Sequence, residues 1–231
     1  MFFKKNEQQL KNEKIINLIG KVLIVVGFID IACMIWAISQ KINYSSSFNI
    51  FAVIAGIFLV NGNYKVARIV SFFAGLFLGA SIITFFITPI QTPISFWIVY
   101  AKLNTVSFLM QSLITVSVFV LIAWIYIKLT NNSMIEDMKK KGIKFDKLRK
   151  KKHVGLVIGI MLGLIIFSFS FFMFRNNTAD LVIKKARQEY GNNYSYIIRG
   201  MNMTTKNGQT LGSANVTAYN KNEIKNILIK F

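Results

Sequence analysis

Reactive side chains are scarce in this chain. One cysteine, one histidine, two prolines and nine carboxylates serve 231 residues. A lone Cys33 excludes an intramolecular disulfide and a thiolate metal cluster. A lone His153, set among lysines, leaves almost no inventory for His, Cys or carboxylate catalysis. Nor is there a Walker-type loop, a dinucleotide fingerprint or a zinc spacing. The expectation is no catalytic residue, no metal, no cofactor and a protein that is not an enzyme.

Apolar residues are abundant instead: 54% of the chain, with a mean hydropathy of +0.48. They fall in blocks of about 20, the length that crosses a hydrocarbon layer of about 30 Å. Five blocks read as spans, at about residues 15–39, 48–61, 69–87, 106–127 and 154–174. The second is the shortest. Thr88 and Pro89 close the third, and Gly62 to Arg68 reads as the turn before it. Ile94 to Tyr100 is too short to span. Its Phe96, Trp97 and Tyr100 are residue types of the membrane interface, so residues 90–105 read as an outer loop with a short interfacial segment.

Charge is one-sided, 28 Lys+Arg against 9 Asp+Glu for a net +19. Nucleic acid is not the implied partner, because no helix-turn-helix, zinc or stacking pattern accompanies the charge. The cations concentrate in the run 128–153, which ends KKKGIKFDKLRKKKH between two apolar blocks. Such clusters stay on the cytoplasmic side. Lys139, Lys140, Lys141, Lys147, Arg149, Lys150, Lys151 and Lys152 are the expected contacts to anionic lipid headgroups, each adding about 1 kcal/mol of attraction. Within the run, Ser133 and Glu136 fit a capping box for a short helix over 134–141, and Gly142 fits its stop. Met134, Ile135 and Met138 would then rest on the bilayer surface.

The segments 1–14, 62–68 and 128–153 hold four, two and ten Lys/Arg, whereas the short loops between them hold only Lys41 and Lys102. That distribution predicts a cytoplasmic amino terminus and, after five spans, an extracytoplasmic carboxyl terminus. Heavy use of Asn, Ile and Lys points to an AT-rich bacterial genome, hence an inner-membrane location. The organisation reads as a lead-in (1–14), a four-span bundle (15–127), a basic loop (128–153), a fifth helix (154–174) and a small domain (175–231).

In that domain Thr178 caps a helix over 179–190, ended by Gly191, with Leu181, Val182, Ala186 and Tyr190 as its buried stripe. Strand-like runs follow at 194–203, 210–219 and 224–231, the first two joined by Asn207-Gly208. Ile227, Ile229 and Phe231 alternate onto one face of the last. The fold class is thus an all-α polytopic membrane protein of five transmembrane helices carrying a small α+β domain, a helix plus a three-stranded antiparallel meander. Such a unit of about 55 residues is marginal alone, so contact with the membrane surface or a partner is expected.

Two features inside the spans invite a role. Asp30 is the sole acid there, and a carboxylate at that depth needs a proton, a hydrogen bond or a wet cavity. Ser81, Thr84, Gln111, Ser112 and Thr115 suit it as polar partners by depth. Gly155, Gly159 and Gly163 recur every four residues, and Gly75 and Gly79 repeat the spacing. Such a stripe lets another helix approach closely, within the bundle, by self-association or on a partner's span. The reading that results is a non-enzymatic anchor or accessory subunit presenting its small domain to a membrane or periplasmic protein. The alternative is a small transporter or channel centred on Asp30.

Overall fold

The computed structural model describes residues 2–40, 49–143, 153–174, 177–206 and 209–231. Lys41, Lys147, Arg149, Lys150, Lys151, Lys152 and the Asn207-Gly208 pair lie outside the described residues, as does the first residue proposed for the second span. The chain is mostly helical. Among the described residues, four helical stretches are long and apolar enough to cross a bilayer: Glu7–Ser39, Tyr64–Gln91, Thr105–Leu129 and Val154–Phe172. Two shorter apolar helices accompany them, and a three-stranded antiparallel sheet lies at the carboxyl end.

The chain divides into two compact units. The first holds Met1–Gly79 and Phe119–Gly159, the second Ala80–Val118 and Ile160–Phe231.

In the first unit, α1 (Phe2–Ser39) and α2 (Asn49–Val60) form an antiparallel pair. Gly20 and Gly56 let the two backbones touch. A Cβ on Gly20 would lie 2.7 Å from the Gly56 carbonyl oxygen, and one on Gly56 2.6 Å from that of Gly20. One turn away, the Asn17 amide donates to the Val60 carbonyl at 3.0 Å, satisfying one of the acceptors left over at the end of α2. The lead-in from Phe2 onward forms the first turns of α1.

Gly62, at φ +71, then reverses the chain. Asn63 Oδ1 accepts from the Lys65 and Val66 amides at 3.0 and 3.2 Å, so α3 (Tyr64–Gln91) starts at Tyr64. This corrects the expected turn over 62–68: Lys65 and Arg68 belong to the first turns of α3. Pro89 does not close that helix but sits in its last turn, where it leaves the Phe85 carbonyl without its intrahelical amide.

Helix α7 (Val154–Phe174) runs parallel to α3 in this unit. The Cα atoms of Gly155 and Gly159 lie against the carbonyls of Phe72 and Leu76, successive turns of α3. A short helix, α6 (Asn132–Lys140), packs on the amino-terminal end of α1. Gly142, at φ +74, ends it, with its amide on the Lys139 carbonyl and that of Ile143 on Met138.

The second unit contains α4 (Ile94–Leu103), most of α5 (Thr105–Leu129), α8 (Asn177–Tyr190) and the strands β1 (Ser195–Lys206), β2 (Gln209–Tyr219) and β3 (Ile224–Lys230) in the order β1-β2-β3. One sheet face packs on α8: Ala179, Val182 and Ala186 meet Met201, Ala214, Val216 and Ile229, with Ile227 and Phe231 at the edge. Val182 and Ala186 carry the stripe as expected. Leu181 and Tyr190 do not, being 47% and 43% exposed, and Ala179 takes their place.

Strict alternation fails in β1. Ile198 pairs with Val216 but Gly200 with Asn215, so Arg199 is an extra residue in the strand. That bulge brings both Ile198 and Met201 onto the α8 face and leaves Arg199 on the opposite face.

Candidate functional site

The opposite face of the sheet does not open straight to solvent. Within the second unit it meets α4, where Phe96 is buried together with Ile197 and Tyr219. The Phe96 and Tyr219 rings stand edge to face with centroids 5.3 Å apart, and the Tyr219 hydroxyl meets the Ser95 hydroxyl at 2.9 Å. Pro93 starts α4 and Asn104 ends it, so these aromatics hold a fixed helical spacing.

Beside this contact, α4, α5 and the sheet border an open cleft of about 590 Å³. Trp97 and Tyr100 form its aromatic wall, with Ile224 on the sheet side. Gln111 of α5, Asn215 and Asn226 bring three amides to the lining, and Arg199 brings the one charge.

Arg199 is held by its neighbours. Its Cζ lies 4.6 Å from the Phe96 ring centroid, a cation–π stack. Its Nε donates to Thr217 Oγ1 at 3.3 Å, and the Thr217 hydroxyl donates on to Asn226 Oδ1 at 2.9 Å. Arg199 is an exposed residue whose guanidinium is only partly desolvated; that desolvation lowers its pKa, from so high a start that the group stays cationic. Among the described residues no carboxylate lies within ion-pair distance of it. The arrangement can bind a flat or apolar group against the aromatics and an anion at Arg199. It presents no nucleophile beside a general base.

The edge of the module carries a second polar knot. Asn220 Oδ1 accepts the Asn222 and Glu223 amides and so builds the β2–β3 turn. Tyr194 donates to the Glu223 carboxylate, and Lys225 pairs with it at 2.9 Å. The Tyr194 bond, then the Lys225 bond, hold the Glu223 pKa below the ordinary carboxylate range. A carboxyl depressed in the folded state stabilises the fold above its unfolded pKa, and that contribution fades as pH falls through the folded value. Thermal unfolding followed between pH 7 and pH 3 should therefore lose a component in acid that Glu223→Gln lacks. A pH profile unchanged by the substitution would contradict this.

In the first unit the polar residues gather where α6 meets α1. Asn12 is 2% exposed and Asp137 4%. The Asn12 amide donates to Asp137 Oδ2 at 2.5 Å, Ser133 donates to Asn12 Oδ1 at 3.4 Å, and Gln8 to Ser133 at 3.2 Å. Ser133 is therefore not a cap: the N-cap of α6 is Asn131, without a side-chain bond. Met134 and Met138 are fully buried in protein rather than laid on the bilayer. The apolar side of α6 is used up on α1 and its surroundings. Lys141 pairs with Glu13 at 3.0 Å and sits 4.1 Å over the Tyr64 ring. The Glu13 bond holds the Lys141 ammonium above the usual lysine pKa.

The other residues singled out in the sequence are scattered. Asp30 is half-buried on α1 inside the first candidate span. Thr84 and Thr115, two of its proposed partners, turn their hydroxyls to Ala80 and Gln111 carbonyls of their own helices. Gln111 lines the cleft. Gly75 lies under the Tyr126 ring, whose hydroxyl meets His153 Nδ1 at 2.5 Å, and Gly79 is buried. Gly163, in the second unit, faces Ile83. Lys139 and Lys140 are exposed, the latter 3.8 Å from Asp137. The reading of the sequence missed the cleft and the buried amide–carboxylate pair. Phe96, Trp97 and Tyr100 were its only trace of the first, read as interfacial aromatics.

By the length and composition of its helices, this is a membrane protein with a small carboxyl-terminal sheet. No protein-family model, curated protein or solved structure matches the chain.

Proposed function

We propose that the protein is a non-enzymatic, five-span protein of a bacterial inner membrane that displays its carboxyl-terminal module to a membrane or extracytoplasmic protein. The observation that carries the display reading is the cleft beside Arg199. A sheet face that α4 partly covers, yet that keeps three amides and a cation with no ion-pair partner among the described residues, is suited to recognition rather than to packing alone.

The helix pairings support the crossing count. Asn12, Lys141 and Tyr64 gather at one end of the first unit, so α1 and α3 start on the same side. The chain must return between them, and α2 is antiparallel to α1. The 12 helical residues of α2 rise about 18 Å, and residues 41–48 precede them. Helix α7, parallel to α3, then leaves towards the opposite side. With the lysine run kept in the cytoplasm, the module emerges outside. The sparse catalytic inventory supports the non-enzymatic part.

Purification in mild detergent tests the reading. A discrete partner should accompany the full chain and Asp30→Asn, and be lost when the chain stops at Arg175 but still inserts. Retention by the shortened chain, or loss on Asp30→Asn alone, would favour the intramembrane site instead.

A further inference from the structure

We infer that the cleft between α4 and the outer face of the sheet binds a short peptide segment bearing a single free carboxylate, with Arg199 as its anchor. This rests on the display reading and names the chemistry of what is displayed to.

Charge comes first. Among the described residues, Arg199 is the only charged one of the lining, and its Nε is already spent on Thr217. The Phe96 ring lies under the guanidinium, 4.6 Å from Cζ, and holds it against α4. A guanidinium so held presents its remaining N–H groups as a planar fork, the geometry that a carboxylate fills with two parallel bonds. Residues 176–231 carry eight Lys/Arg against three Asp/Glu, so the approaching partner is drawn in by negative charge.

The rest of the lining suits a peptide. Gln111 and Asn215 each offer a donor and an acceptor, and Asn226, whose Oδ1 already accepts from Thr217, offers its amide donors; a peptide backbone requires both kinds of group. Trp97 and Tyr100 offer an apolar wall for one side chain next to the carboxylate. At about 590 Å³ the cleft is of the size that takes a small-molecule or short-peptide ligand. One cation calls for one anion, so polyanions such as phosphorylated chains fit less well. The segment is the carboxyl terminus of the membrane protein to which the module is displayed.

The test uses the full-length protein in detergent or nanodiscs. The probes are an N-acetylated tetrapeptide with a penultimate Phe and a free carboxyl terminus, the same peptide as its amide, and the same carboxyl-terminal residues fused to a single membrane span. The expected result is that the acid binds tighter than the amide by about tenfold or more. Arg199→Gln should bring that ratio close to one. Asn226→Asp, which places a carboxylate beside the guanidinium, should do the same in a chain that keeps its arginine and its fold. Trp97→Leu should weaken acid and amide alike.

The span-fused probe should bind tighter than the free acid, and equal binding would overturn the assignment to a membrane protein's tail. Equal affinity for acid and amide would overturn the inference. So would an acid preference untouched by Arg199→Gln and Asn226→Asp. If no peptide binds while the partner is still lost with residues 176–231, the display reading survives and this one falls. If the acid binds while partner capture ignores that deletion, the reverse holds.

Discussion

Gly159→Leu should abolish the stably folded protein. A Cβ at this position would run into the Leu76 carbonyl of α3, and at Gly155 into that of Phe72. These are backbone atoms, not the tips of side chains, so neither can turn aside. The helices would have to separate along the seam, losing packing that no hydrophobic drive replaces in lipid. The expected cost is about 3 kcal/mol, the upper part of the overpacking range. Val157→Leu is the control: Val157 is 53% exposed on the same helix, and its replacement should leave the melting temperature near that of the parent. Detergent melting curves of the three chains check this. A Gly159→Leu protein that melts with the parent would mean that the two helices do not meet there.

The second large effect belongs to the lock between α6 and α1. Asn12→Asp should destabilise the first unit strongly, because it sets two carboxylates where an amide now donates to one at 2.5 Å. Both positions are nearly dry, so water cannot screen the repulsion. Removing the donor alone, in Asn12→Ala, should cost about 2 kcal/mol, the worth of a bond to a charged acceptor. Asp137→Asn placed on top of Asn12→Asp restores one amide and one carboxylate and should recover most of the loss. The pair Asp137–Lys140, at 3.8 Å with the lysine 47% exposed, adds little either way. Additive losses in the doubly substituted chain would contradict a direct contact.

How much of this was legible beforehand follows from the range of each signal. Helix α7 is uninterrupted and apolar, and the reading of the sequence and the structure agree on its bounds, 154–174. The strands were legible from the Asn220 turn and from the alternation of Ile227, Ile229 and Phe231. Signals that need two distant segments were not. Gly20 and Gly56 meet as one residue from each helix, so neither makes a stripe. Asn12 and Asp137 are 125 residues apart, and nothing local marks either as buried. Periodicity told that α6 has an apolar side but not whether lipid or protein covers it. The bulge at Arg199 breaks the period of two that would have placed its side chain. The aromatics of α4 suit a membrane interface and a sheet equally by composition, and only the fold sets them against Tyr219.

The sidedness of the chain is tested most directly through its lone cysteine. In a Cys33→Ser background, a single cysteine is placed at Glu136, exposed on α6, or at Asn222, exposed in the β2–β3 turn. Intact cells are then treated with a membrane-impermeant maleimide. Labelling at position 222 without permeabilisation, and at position 136 only after it, is the result predicted. Labelling at 136 in intact cells, or protection of 222, would contradict it.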